Sequence, residues 1–433
     1  MKRTYTFGVS ALIVAAAAIF IIFSISGSPF KALKEDAVQT ASANSVSDFE
    51  SFRSIAQRDQ GFAAALEQGL MKPIKQGVEK NGYRMDVAGA VTDGRRAYVM
   101  YSFQNHTDSD VIPIVDAIIF GETETPSIGA EICIAMGNNV VSSGQTSYFV
   151  FKTDLLSSAD YKKDAQFSIK LWNNATSKYQ KVLNVKFDLE PNLLKDKERV
   201  FNTEGTMKVD GQNIKVKQVS FTPLNTYVDL EYDKNNDKQI FKMINPVLIG
   251  EKGDHIEKLY YPEYMPTLDP SKTTLVFKTN KFDQLDSASL KVFGIGAVKK
   301  DQLKVVVDIN KKQIVEAPDD NFTIIQPDEK VGEGEMIFQH RLENAQVADS
   351  IGMWLDDSYT DAAGEEHKRL PSVNVSHGGT TTSSKEDTQV DETAYNFGKE
   401  ALNYPQPLTI GVKRYWIPIM ETQTQELLSK NKN

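Results

Sequence analysis

The chain has 433 residues, 40% of them hydrophobic and 25% charged, with a formal net charge of −9. That length accommodates two to three domains of ~100–200 residues, and the acidic balance argues against nucleic acid, whose phosphates select a basic surface. One cysteine, Cys133, excludes an internal disulfide and, in the apolar run EICIAMG, reads as a buried thiol.

From Thr4 to Phe30 the chain carries no charge, and FGVSALIVAAAAIFIIF fills Phe7 to Phe23. A bilayer-crossing helix needs ~20 mostly apolar residues, so residues 7–27 are expected to be a transmembrane helix. Lys2 and Arg3 keep the stub, residues 1–6, in the cytoplasm. A cleaved signal peptide is the rival. However, the apolar run exceeds the usual ~7–15 residues, and Ala41-Ser42-Ala43 lies far downstream. No cysteine follows to carry a lipid. The expectation is an uncleaved signal-anchor in the cell membrane, single-pass, with the bulk of the chain extracytoplasmic.

Residues 28–70 read as a linker followed by short amphipathic helices. Phe49, Phe52, Ile55, Phe62, Leu66 and Leu70 recur at helical spacing, Ser47 and Glu50 fit a capping box, and Gly61 is expected to split the helix. The stripe is expected to pack on the first β-domain, with the membrane surface as the alternative.

From Lys72 onward, short β-rich runs alternate with Asn-Gly, Asp-Gly and Pro turns. In YVDLEY, Val228, Leu230 and Tyr232 alternate with Asp229 and Glu231, the pattern of a half-buried antiparallel strand. The halves also echo one another. NGYRMDVAGAV (Asn81 to Val91) aligns without a gap on DGQNIKVKQVS (Asp210 to Ser220), and Tyr98, Val99, Tyr101 and Phe103 fall on Tyr227, Val228, Leu230 and Tyr232. SYFVFKTD (Ser147 to Asp154) answers TLVFKTN (Thr274 to Asn280), so Phe151 and Phe277 are expected in cores and Lys152 and Lys278 in solvent. AQFSIKLW answers ASLKVFGIG, and VLNVKFDL and LKVVVDI are expected to close the respective copies. The fold class expected is mainly β, with tandem immunoglobulin-like β-sandwiches: residues 71–195, a repeat at 205–317, and a third diverged β-region at 320–433. Within the last, SHGGTTTSSKEDTQVDETA, residues 376–394, is poor in apolar residues and is expected to be a flexible loop.

No constellation for catalysis stands out, so the protein is not expected to be an enzyme, and no cofactor is expected. The five histidines, His106, His255, His340, His367 and His377, stand apart from one another and from any cysteine pair. GIGAVKK, Gly294 to Lys300, reads as a turn rather than a nucleotide loop. Asp233, Asn235 and Asp237 alternate like the start of a calcium loop, but Lys238 occupies the glycine position and Ile244 the glutamate position, which favours a polar hairpin turn. Trp354, Asp356, Asp357 and Asp361 combine an aromatic ring with carboxylates, a weak candidate for binding sugar or calcium; a strand end with an acidic loop is the plainer alternative.

At Gly61 to Phe103, in KPIKQGVEKNG, TDGRRAY and VMYSF, the chain resembles an uncharacterised extracytoplasmic domain of Gram-positive bacteria that stands behind one membrane helix. The resemblance covers Phe49 to Pro191, and Gly205 to Ala317 resembles the immunoglobulin-like domain that often accompanies it. Many members of that family resemble anti-sigma factors with a cytoplasmic sigma-binding domain. Here about six residues precede the expected span, which argues against direct sigma-factor inhibition. The resemblance implies no catalytic residues. The leading expectation is a membrane-anchored protein that binds or senses a cell-wall polymer, a carbohydrate or another envelope protein. The alternative is an extracytoplasmic subunit modulating a sigma/anti-sigma pathway through a separate membrane partner, and a cell-wall-acting enzyme is the least favoured reading.

Overall fold

Alternating apolar runs separated by tight turns give a mainly β chain of several antiparallel sheets and few helices. The computed structural model describes residues 38–41, 46–120, 132–135, 139–155, 161–173, 178–203, 205–265, 267, 269–278, 285–326, 331–343, 352–372, 377–383 and 387–429. The expected stub (1–6) and membrane helix (7–27) lie outside these residues, as does the side chain of Cys133. Among the described residues no helix is long and apolar enough to cross a membrane.

A 3-10 helix at Val46–Phe52 leads into α1 (Arg53–Ala56) and α2 (Gln60–Glu67). The break falls before Gly61, because Asp59 caps α2 and its carboxylate accepts from Phe62 N at 3.1 Å. Gly61 therefore lies inside α2, where a Cβ would come within 2.6 Å of Tyr98 Oη. Glu50 pairs with Arg53, and the side chain of Ser47, the other half of the expected capping box, lies outside the described residues. Phe52, Ile55 and Phe62 bury against Tyr98, Met100 and Val150 of the first sheet, as expected of the apolar stripe.

The first strands are β1 (Val38–Ala41), β2 (Lys72–Lys80), β3 (Tyr83–Thr92), β4 (Arg96–Asn105), β5 (Ile112–Phe120), β6 (Ile132–Ala135), β7 (Thr146–Asp154), β8 (Asp164–Asn173) and β9 (Lys178–Asp188). They form one sheet in the order β1-β2-β3-β4-β7-β6 and a second in the order β5-β8-β9. Tyr101, Phe103, Phe149 and Phe151 from the first sheet and Phe167 and Val185 from the second meet in one core.

Next come β10 (Arg199–Asn202), β11 (Thr206–Val209), β12 (Gln212–Phe221), β13 (Thr226–Tyr232), β14 (Lys238–Ile244), β15 (Val247–Lys252), β16 (His255–Leu259), β17 (Glu263–Met265), β18 (Lys272–Phe277), β19 (Ser287–Val292) and β20 (Gly294–Lys299). The order β12-β13-β18-β17 repeats β3-β4-β7-β6, and β11 flanks β12 as β2 flanks β3. The ladder bulges after Val87 in one copy and after the aligned Val216 in the other. Asn81-Gly82 and Asp210-Gly211 both turn with positive φ. One register differs: Val99 opposes Phe151, whereas Thr226, not Val228, opposes Phe277. A slip of two residues keeps the same side chains on the core face.

The second core closes in an unexpected way. LKVVVDI supplies β21 (Lys304–Asp308), which was expected to finish the second sandwich, yet Val305 and Val307 lie in a third core. The closing strands come from the far end of the chain: β30 (Ile417–Ile419) pairs with β20, and β31 (Gln423–Ser429) pairs with β19. Leu427 of β31 is buried in the second core. The same geometry explains GIGAVKK, which is strand β20 and not a turn. A Cβ on Gly294 would sit 2.2 Å from Ile419 O, and one on Gly296 would sit 2.9 Å from Trp416, so the glycines admit the returning chain.

The third core lies between two more sheets. One runs in the order β22 (Gln313–Glu316), β21, β29 (Leu408–Arg414), β25 (Trp354–Thr360), β26 (Glu366–Lys368). The other runs in the order β23 (Phe322–Ile325), β24 (Glu335–Glu343), β28 (Thr388–Asn396), β27 (Gly378–Ser383). The expected flexible loop at 376–394 is thus largely the hairpin β27–β28. Its threonines are β-branched strand formers, β28 pairs with β24 from Glu343↔Thr388 to Glu335↔Asn396, and Ala394 and Tyr395 are buried. Limited trypsin or Glu-C digestion is expected to leave Thr388–Asn396 uncut under native conditions, read by mass spectrometry of the fragments. Early cleavage after Glu392 would contradict the pairing.

Candidate functional site: a buried charged seam

The outward faces of β4 and β7 do not meet solvent. Arg96, Tyr98 and Met100 alternate with the core residues Ala97, Val99 and Tyr101, and both sets are buried. Lys152 lies directly across from Tyr98 in the ladder. The expectation that Lys152 is solvated fails: its side chain is 4% exposed. α2 covers this surface from one side and β17 from the other, and each brings a carboxylate.

Lys152 Nζ stands 3.0 Å from Asp59 Oδ2 and 2.9 Å from Glu263 Oε1. Arg96 Nε donates to Asp154 Oδ1 at 2.7 Å, and its Nη1 makes an ion pair with Glu263 Oε2 at 2.8 Å, outside hydrogen-bond geometry. Lys278, the counterpart of Lys152 in the repeat, also reaches Glu263 Oε1, at 2.8 Å, with its side chain 37% exposed. The two lysines of the echoed FKT therefore converge on one carboxylate. Cations Arg96, Lys152 and Lys278 balance carboxylates Asp59, Asp154 and Glu263.

A second cluster continues the seam. Asp93, in the turn between β3 and β4, accepts from Arg95 N and Arg96 N with one oxygen and from Tyr227 Oη, at 2.8 Å, and Thr222 with the other. Arg95 forks onto Asp229 through two nitrogens, and its guanidinium lies 4.5 Å over the Tyr227 ring. The aligned tyrosines Tyr98 and Tyr227 thus play the same part. Each is buried and each donates to a buried aspartate, Tyr98 to Asp59 at the cap of α2, at 2.9 Å, and Tyr227 to Asp93 in the turn before β4.

Burial opposes charge throughout, and the partners decide the outcome. At Glu263 burial is outweighed by Arg96, Lys152 and Lys278, which hold its pKa down at about 2. At Asp59 burial is likewise outweighed, by Lys152, the Phe62 amide and the Tyr98 hydroxyl, and the carboxyl falls below its ordinary range. At Asp154 burial prevails over Arg96 and the pKa rises. Burial, reinforced by the neighbouring carboxylates, pushes both tyrosines well up. The seam is a set of matched charges that fastens the helical segment, the first core and the second core together.

Glu263 titrates lower in the fold than its ordinary 4.5, so its stabilisation is complete above that value and is lost as pH falls through about 2. Acid titration of the folded chain is expected to remove on the order of 3 kcal/mol through this group. Glu263→Gln should flatten that limb, as followed by urea unfolding at a series of pH values between 5 and 2.

The seam residues gave little sign in the sequence. One signal was available: in RAYVMYSF both faces of the strand are large and apolar, the mark of burial on two sides. The sequence candidates lie elsewhere. Asp233 and Asn235 share one turn, with Asn235 N donating to Asp233 Oδ1 at 3.0 Å, while Asp237 accepts from Gln212 Nε2 at 2.7 Å. Among the described residues, no three or more His, Cys, Asp or Glu gather as a metal would require. Trp354 lies under Lys413 and Arg414. Asp356 pairs with Lys413 at 2.9 Å, Asp357 reaches Arg369 at 3.9 Å, and Asp361 turns inward to Ala363 N, Glu365 N and His367. The chain itself engages all three carboxylates.

Fold and seam together define a mainly β protein of several antiparallel sheets. Residues 8–105 match a family described as a domain of unknown function (DUF4179). Among solved structures the chain is similar to one titled "The crystal structure of the conserved domain protein from Bacillus anthracis", at 13% identity over 57% of this chain and 84% of that chain, with a TM-score of 0.40. No curated protein matches the chain.

Proposed function

We propose that this chain is a single-pass membrane-anchored extracytoplasmic protein that binds or senses a component of the cell envelope through tandem immunoglobulin-like β-sandwiches. The observation that carries the proposal is the extent of the family match, residues 8–105, which takes in both the apolar segment and the first strands through β4. Anchor and β-domain then belong to one module. The repeated strand order and bulge support a duplicated sandwich, and the returning β30 and β31 support a third domain inserted into the second. The role is binding, with the loops and strand edges as contact surfaces.

The test is capture from chemically crosslinked, detergent-solubilised envelopes. The full chain should enrich a defined envelope protein or polymer over a control carrying only residues 1–45. Equal recovery on both would overturn the proposal.

A further inference from the structure

The link between β16 and β17, Tyr260-Tyr261-Pro262, displays an aromatic pair that folding does not explain. Tyr260 is 55% exposed and Tyr261 87% exposed. Their ring centroids lie 6.2 Å apart with 44° between planes. Among the described residues neither hydroxyl has a hydrogen-bond partner. Tyr261 also holds a left-handed backbone, φ 55°, which a bulky side chain disfavours and glycine accepts freely. A strained position occupied by an unburied tyrosine gains nothing for the core, and such strain gathers at functional sites.

The base beneath the pair is rigid. Glu263 is clamped by Lys152, Arg96 and Lys278. Tyr264 Oη donates to Met243 O at 2.7 Å, and Met265 is buried. β16 and β17 are each the outermost strand of their sheet, so the open rim leaves the rings accessible. Two aromatic faces on a fixed support form a preorganised stacking platform with polar tips.

We propose that Tyr260 and Tyr261 form a carbohydrate-binding platform that stacks on the pyranose rings of peptidoglycan glycan strands. This rests on the envelope-binding reading above and names its ligand. The exposed charges along the β15–β16 hairpin that leads to the pair are mixed, Lys258 nearest and Glu251, Lys252 and Asp254 at its tip, and the chain is acidic overall. That balance suits a polyol surface and disfavours an anionic polymer or an acidic membrane. Phenol faces cover the C–H face of a sugar while the free hydroxyls reach its rim, as tyrosine does at wet interfaces.

The test uses the full chain in detergent and protein-free peptidoglycan sacculi of a Gram-positive bacterium, intact or acid-stripped of anionic polymers. Wild type should co-sediment with both preparations equally. Tyr260→Ala/Tyr261→Gly should lose binding at least tenfold while its thermal midpoint stays level or rises, since glycine relieves the backbone at 261. Tyr260→Phe/Tyr261→Phe should keep most of the binding. Undiminished sedimentation of the Ala/Gly variant would overturn the site while leaving envelope binding standing. Binding lost on acid stripping, or absent from both preparations, would overturn the ligand. Failure of the broader reading would appear separately, as the absence of any capture from whole envelopes.

Discussion

A Lys152→Met chain is expected to be less stable by about 3–5 kcal/mol, the usual effect of stranding buried charges by removing one partner. Lys152 hydrogen-bonds both Asp59 and Glu263, and methionine would replace its length without its charge. Asp59 would suffer most, since it also caps α2 and holds Tyr98. Adding Glu263→Gln should recover part of the loss, because one stranded charge is then removed, and the difference measures their coupling. Urea unfolding followed by circular dichroism reads both effects. A change below about 1 kcal/mol would mean that the lysine is solvated, as the sequence alone suggested.

Ending the chain after Met420 is expected to destabilise the second core by at least roughly 3 kcal/mol, through the lost burial of Leu427 and of a whole strand. Seven residues of β31 go, and with them the pairing from Ser287↔Ser429 to Val292↔Gln423. The bared edge of β19 should also drive association, since an unpaired strand invites another chain. Thermal melting and size-exclusion chromatography of the truncated chain would register both effects. A melt within about 1 °C of wild type with an unchanged elution volume would mean that β31 is dispensable. By the same logic residues 205–317, the second domain as the sequence suggested it, should not fold alone.

The parts of the fold legible in the sequence are those governed by local pattern. Alternation located β13, turn chemistry located Asn81-Gly82 and Asp210-Gly211, and the echo between halves anticipated a shared strand order. Misread parts depended on contacts remote in sequence. LKVVVDI has the pattern of any half-buried strand, and nothing within it says which core it joins. Gly294 and Gly296 looked like a turn because their reason, the close approach of Ile419 and Trp416, lies more than a hundred residues away. The hairpin at 378–396 looked too polar to fold because burial on one face, through Gln389, Asp391 and Tyr395, needs few apolar residues when the polar ones are partly paired. Lys152 looked solvated because lysine usually is, and its partners Asp59 and Glu263 stand far from it in the chain.

The buried charges are expected to make the helical segment and the first two cores one mechanical body. Native-state hydrogen exchange on the full chain, wild type against Lys152→Met, tests it most directly. Amides of α2, β4, β7, β17 and β18 are expected to lose protection together, while those of β24 and β28 in the third core keep theirs. Loss confined to β7, with β17 and β18 unchanged, would contradict the claim and make the seam a set of local contacts between independent domains.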